Sequence, residues 1–112
     1  MPRHCFALDL KDDENGIAAY KRYHEKIWPE IKQSLLDAGV AKMEIYLLGT
    51  RMFMIMDVVD GFSLTAKAAA DASNTRVQQW EALMRTFQQQ LPNAGAEQWW
   101  TEMERVFDLK EQ

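Results

Sequence analysis

The segment Tyr20-Lys21-Arg22-Tyr23-His24-Glu25-Lys26-Ile27-Trp28-Pro29-Glu30 sets a phenol and an imidazole four residues apart and then meets a proline. On a helix, residues at i and i+4 lie over one another on one face, so Tyr20 and His24 reach the same small ligand. Pro29 removes a backbone donor and disfavours helical geometry at Trp28, which breaks or kinks the chain just past His24. An aromatic, a proton carrier and a helix break together point to a small pocket. Histidine has an ordinary pKa of roughly 6.5, so it takes a proton and gives one back near neutrality. Taken by itself, a Tyr-His pair sharing a stripe with Ile17 and Ile27 is more often a packing pair.

Other side chains have two readings each. Asp57 interrupts the apolar run Met52 to Val59, and a buried carboxylate there needs partners. It accepts from a ligand hydroxyl or orients His24, or else it is a strand-end residue facing water. Trp80 offers a ring for C–H-rich ligand surfaces, yet its helical spacing suits a core position equally. Glu81 is a hydroxyl acceptor or an exposed helical acid. Trp99-Trp100 closes a pocket or anchors a subunit seam, and the seam is the commoner role of paired aromatics. Tyr23 and Glu25 point elsewhere on the helix, toward the surface or a subunit contact. His4 and His24 are the only histidines and form no cluster with cysteine, so no metal and no cofactor is expected.

The elements that must position these residues follow from periodicity. His4 to Leu10 alternates as a strand with Phe6, Leu8 and Leu10 on one face. Asp12-Asp13-Glu14 starts a helix, because acidic side chains favour the positive end of its dipole. Ile17, Tyr20, His24, Ile27 and Ile31 fall on one stripe, and a second helical piece from Pro29 ends at Gly39. Lys42 to Leu48 and Met52 to Val59 form a hairpin about Gly49-Thr50-Arg51. Helices over Phe62 to Ala72 and Thr75 to Gln90 follow, then the loop Pro92-Asn93-Ala94-Gly95, and Met103 to Leu109 alternates as a fourth strand.

The expected order is β-α-β-β-α-β, an α+β ferredoxin-like plan with an antiparallel sheet and helices on one face, in one domain spanning 1–112. Met52 to Val59 is apolar on both faces and needs cover on both, which predicts a homodimer with its two sheets packed together. The seven methionines, three alternating at Met52, Met54 and Met56, read as adaptable core or interface filler.

Composition closes off several function classes. A chain of 112 residues that is 47% hydrophobic builds one core. A net charge of -4, with Lys and Arg scattered among acids, argues against a nucleic-acid partner. No apolar run is long enough for a membrane span. The single cysteine, Cys5, forms no internal disulfide and reads as a buried, inert thiol, and the N-terminus lacks a signal-peptide apolar stretch. A cytoplasmic location is expected.

The Y-x-x-x-H segment, the strand before it, Gly39 followed by Ile45-Tyr46-Leu47, and the closing Glu104-Arg105-Val106-Phe107-Asp108-Leu109 together resemble the L-rhamnose mutarotase family. The likeness covers most of the chain and is looser from about Val59 to Trp100. It implies a dimeric α/β-barrel enzyme that interconverts the anomers of a 6-deoxy monosaccharide, with Tyr20 binding the sugar and His24 as proton donor, and it reverses the packing-pair reading. Rhamnose-type members carry a tyrosine where this chain has Met43, and a tandem tryptophan where it has Trp80-Glu81. Lost and gained hydrogen-bonding groups are what a change of sugar needs, so L-fucose is expected over L-rhamnose. A dimeric-barrel monooxygenase and a non-catalytic ligand-binding module are the rivals, because this architecture hosts several functions.

Overall fold

The chain alternates strands and helices because its apolar spacing switches between two and about 3.6 residues. A computed structural model describes residues 2–112. It contains β1 (Arg3–Leu10), α1 (Glu14–Glu25), α2 (Pro29–Ala38), β2 (Val40–Leu48), β3 (Arg51–Val58), α3 (Leu64–Ala72), α4 (Thr75–Arg85), β4 (Gln88–Gln89), β5 (Thr101–Glu102) and a closing 3-10 turn, Leu109–Glu111. The sheet order is β2-β3-β1-β4, with β5 also on β1, and every pair is antiparallel.

β3 occupies one edge of β1 from Arg3 to Asp9. Both β4, opposite Asp9 and Leu10, and β5, opposite Phe6 and Ala7, therefore lie along the other edge. The last strand of a ferredoxin-like α+β fold is present but cut in two, with residues 90–100 looping out between the halves.

Two expectations change here. The helix expected to reach Gln90 stops at Arg85, because the free edge of β1 competes for the chain: the Lys11 N–H donates to the Phe87 carbonyl at 2.9 Å, and Gln88–Gln89 joins the ladder. The expected strand Met103 to Leu109 is replaced by Thr101–Glu102. The Met103 N–H still donates to the Cys5 carbonyl at 2.7 Å. Extending that register sets Arg105 opposite Arg3, where β1 begins, so Val106 onward has no strand to pair with. Val106, Phe107 and Leu109 stand well exposed instead.

The inner face of the sheet carries Phe6, Leu8 and Leu10 from β1 and Met52, Met54, Met56 and Val58 from β3, all buried. Helices cover this face, with Tyr20, Ile31, Val77, Trp80 and Met84 completing the core. Each fully buried side chain of this kind contributes about 1.5–3 kcal/mol. The outer face alternates with it: Phe53 and Ile55 are half-buried, Tyr46 and Leu48 are exposed, and the ion pairs Arg3–Asp57 and Arg51–Asp9 flank them. Cys5 is free and half-buried, less enclosed than expected. Among the described residues, no helix is long and apolar enough to cross a membrane.

Candidate active site

Pro29 organises the site locally. Trp28 is extended (φ -59°, ψ 138°), as a residue before proline must be, and α1 ends at Glu25. α2 then starts with Pro29 at its head and stops at Gly39, whose φ of 98° suits a residue without Cβ. His24 thus falls in the last turn of α1, above Tyr20. Their rings stack with centroids 4.3 Å apart, and His24 Nδ1 lies 2.8 Å from the Tyr20 carbonyl. A carbonyl only accepts, so Nδ1 carries the proton and donates; in the neutral ring Nε2 keeps its lone pair.

Tyr20 is buried, and its hydroxyl accepts from Gln88 Nε2 at 3.2 Å. Gln88 is the buried polar residue that β4 sets at the edge of β1. Burial raises the Tyr20 pKa, partly offset by the Gln88 bond, so the phenol stays protonated. Burial lowers the His24 pKa, with the bond to Tyr20 opposing it, so the imidazole is held neutral near pH 7. A neutral base beside a protonated phenol is the state that accepts a proton from a bound hydroxyl.

His24 and Tyr20 line a cavity of about 430 Å³, within the range of small-molecule sites, roughly 300–1,000 Å³. Met43 and Ile45 of β2 and Met54 and Met56 of β3 give it an apolar floor. Trp80 meets the His24 ring edge-on at 5.6 Å, lines the cavity and is buried in the core as well. Glu81 also lines the cavity; burial pushes its carboxyl pKa up, while Arg85, 3.6 Å away, pulls it down. A second hollow, about 710 Å³, opens between α2 and β2 and shares Tyr20, His24 and Met43.

Five candidates, Tyr20, His24, Met43, Trp80 and Glu81, therefore converge on one cavity. Asp57 does not. It lies on the outer face of the sheet, where Arg3 Nε donates to it at 2.7 Å and holds its carboxyl below the usual range. The reason is strand parity: Met56 and Val58 point inward, so Asp57 points away and can neither orient His24 nor reach a ligand beside it. Trp99 and Trp100 both line the cavity, the pocket side of their two readings. The excursion 90–100 brings them there, tied by the Gln90 amide, which lies 2.8 Å from the Ala96 carbonyl and 3.0 Å from those of Gly95 and Gln98. The Arg85 guanidinium sits 5.2 Å from the Trp99 ring centre. Tyr23 stays outside the cavity, edge-on to Trp80 at 6.2 Å.

Sequence reasoning missed Gln88, Lys67, Asp71, Arg85 and Glu97, all lining the cavity. Lys67 and Asp71 left a signal, being the only charged residues of the Ala-rich α3 and spaced i, i+4. Gln88 left none, since three consecutive glutamines look alike.

Residues 3–109 match the sequence model of the L-rhamnose mutarotase family. An L-fucose mutarotase of Xanthomonas campestris pv. campestris is 45% identical, over 99% of this chain and 90% of its own length. The crystal structure of an L-rhamnose mutarotase from Formosa agariphila superposes with a TM-score of 0.71 at 27% identity, covering 97% of this chain and 99% of the other. Tetracenomycin F2 cyclase of Streptomyces glaucescens, a type-II polyketide cyclase, reaches a TM-score of 0.67 over 96% of each chain at 13% identity, a likeness of fold alone.

Proposed function

The chain belongs to the L-rhamnose mutarotase family, and from that premise we propose that it interconverts the α and β anomers of a 6-deoxy-L-hexose, with His24 as acid and base and L-fucose preferred over L-rhamnose. The observation that carries the reading is the Tyr20–His24 stack inside the cavity, with Nδ1 committed to a carbonyl and Nε2 left for the substrate. Nε2 takes the proton of the O1 hydroxyl, the C1–O1 bond becomes a carbonyl, and the C1–O5 bond breaks. The imidazolium returns the proton to O5. The aldehyde turns about C1–C2 and closes on its other face by the reverse steps. Two proton transfers open the ring and two more close it, so no metal or cofactor is required.

Two features support the preference for L-fucose. By the family resemblance, Met43 offers a thioether in place of a phenol of rhamnose-type members, and Glu81 a carboxylate in place of an indole. A relative named L-fucose mutarotase shares 45% identity over nearly the whole chain. Neither the family match nor that relative favours the oxygenase or binding-only reading. Saturation-transfer NMR on L-fucose, L-rhamnose, D-galactose and D-ribose tests the proposal: accelerated anomer exchange greatest for L-fucose supports it, and equal exchange on both 6-deoxy sugars removes the preference while keeping the mutarotase.

The proposed assembly is a homodimer built on the outer face of the sheet, where Phe53 and Ile55 sit among exposed Tyr46 and Leu48. The free Cys5 thiol fits the reducing cytosol.

A further inference from the structure

We infer that Asp71, braced by Lys67, is the sugar-hydroxyl subsite of the cavity and a specificity-determining residue, the pair gripping two neighbouring hydroxyls of an uncharged monosaccharide. The inference rests on the mutarotase reading and deepens it. Lys67 Nζ donates to Asp71 Oδ2 at 2.6 Å, and the two side chains are only 21% and 14% exposed. Both line the same cavity as His24. An i, i+4 pair on a helix surface stabilises by only about 0.2–0.5 kcal/mol, and drawing two charges out of water costs more than that. Nothing in α3 repays the cost locally, since the helix buries no residue of its own.

What the pair retains is hydrogen-bonding capacity. No described residue donates to Asp71 Oδ1, and the Lys67 ammonium has donors beyond the one given to Oδ2. One hydroxyl can therefore donate to Oδ1 while its neighbour accepts from Nζ, a two-point contact that reads the relative placement of adjacent hydroxyls. Lys67, Asp71, Glu81 and Arg85 all line this cavity, so the pair shares one wall with the Glu81–Arg85 pair. Each cation on that wall has a carboxylate partner, and Glu97 adds a further negative group. Such a wall suits a free sugar and repels a sugar phosphate.

The test measures KM and kcat for anomer exchange with L-fucose and its 2-, 3- and 4-deoxy analogues, in the wild type and in Asp71→Asn and Lys67→Met. Asp57→Asn, on the outer face, serves as control, and circular dichroism checks folding. The expected result is that the wild type disfavours one or two adjacent deoxy analogues by about tenfold or more. Asp71→Asn should raise the L-fucose KM about tenfold with kcat nearly unchanged, and should erase the penalty for those analogues alone. Lys67→Met should do the same for the neighbouring position. If the wild type turns over L-fucose but the folded variants leave KM unchanged, or weaken every analogue equally, the subsite assignment is overturned and the mutarotase reading stands. If the wild type accelerates exchange of no sugar, both fall together.

Discussion

At the scale of single residues, the state of His24 is set by what surrounds it. Burial favours the uncharged ring, so its pKa lies below the ordinary imidazole value. As base, the ring must be neutral. The acid limb of kcat/KM for anomer exchange should therefore fall below about pH 6.5, with a plateau through neutrality; a limb above pH 7 would contradict this environment. The same shift couples to stability. On acidification the unfolded chain takes up the proton first, so the His24 contribution is present above the ordinary value and lost as pH falls toward the depressed folded one. A denaturant titration at two pH values in that window should show the lower stability at the lower pH. Met43 and Glu81 line the same cavity, and the proposed preference for L-fucose rests on them. L-Fucose should exceed L-rhamnose in efficiency by at least about tenfold, and a Met43→Tyr, Glu81→Trp double variant should narrow or invert that ratio. An unchanged ratio in the folded double variant would remove these two positions from specificity.

At the scale of elements, the break between α1 and α2 does most to fix the site. Pro29 and Gly39 were legible in the sequence because each acts through its own backbone, and both elements end where those residues require. Gly39 also tolerates no Cβ, which would lie 2.8 Å from Val59 Cγ2. With its φ of 98°, Gly39→Ala should cost about 1–2 kcal/mol or more, read as a lowered Tm with the hairpin-facing end of α2 most affected. A wild-type Tm would mean that the turn relaxes freely. The split last strand was not legible: a two-residue strand of glutamines has no apolar signature, and only the distant edge of β1 makes it a strand. Met103 to Leu109 erred in the opposite sense, because alternation records two faces but not whether a partner strand is long enough. Asp57 was visible as an oddity, yet which side it faced depended on the register of β3 against β1. The cavity wall of Lys67 and Asp71 was written as two charges among alanines, but only the packing of α3 beside α4 makes them line the cavity.

At the scale of the whole molecule, one face of the sheet is covered by its own helices and the other is not. Leu48 is 85% exposed and Tyr46 52%, and the C-terminal segment leaves Val106 87% and Phe107 63% exposed. Apolar surface of this extent favours association. Sedimentation or light scattering should give a dimer at micromolar protein, and Phe53→Lys with Ile55→Glu should dissociate it while the Tyr20–His24 cavity on the inner face persists. A monomer in the wild type would contradict the assembly and leave the family membership untouched. The likeness to a polyketide cyclase shows that the frame itself does not dictate the chemistry, which is decided by the residues lining the cavity.

In the proposed mechanism His24 carries the proton between O1 and O5. Saturation-transfer NMR of L-fucose anomer exchange, comparing the wild type with a folded His24→Ala variant at equal concentration, tests it most directly. Exchange well above the uncatalysed rate is expected for the wild type and a fall to that background for the variant, a loss on the order of 10²-fold or more. Wild-type exchange rates in the folded His24→Ala protein would contradict it.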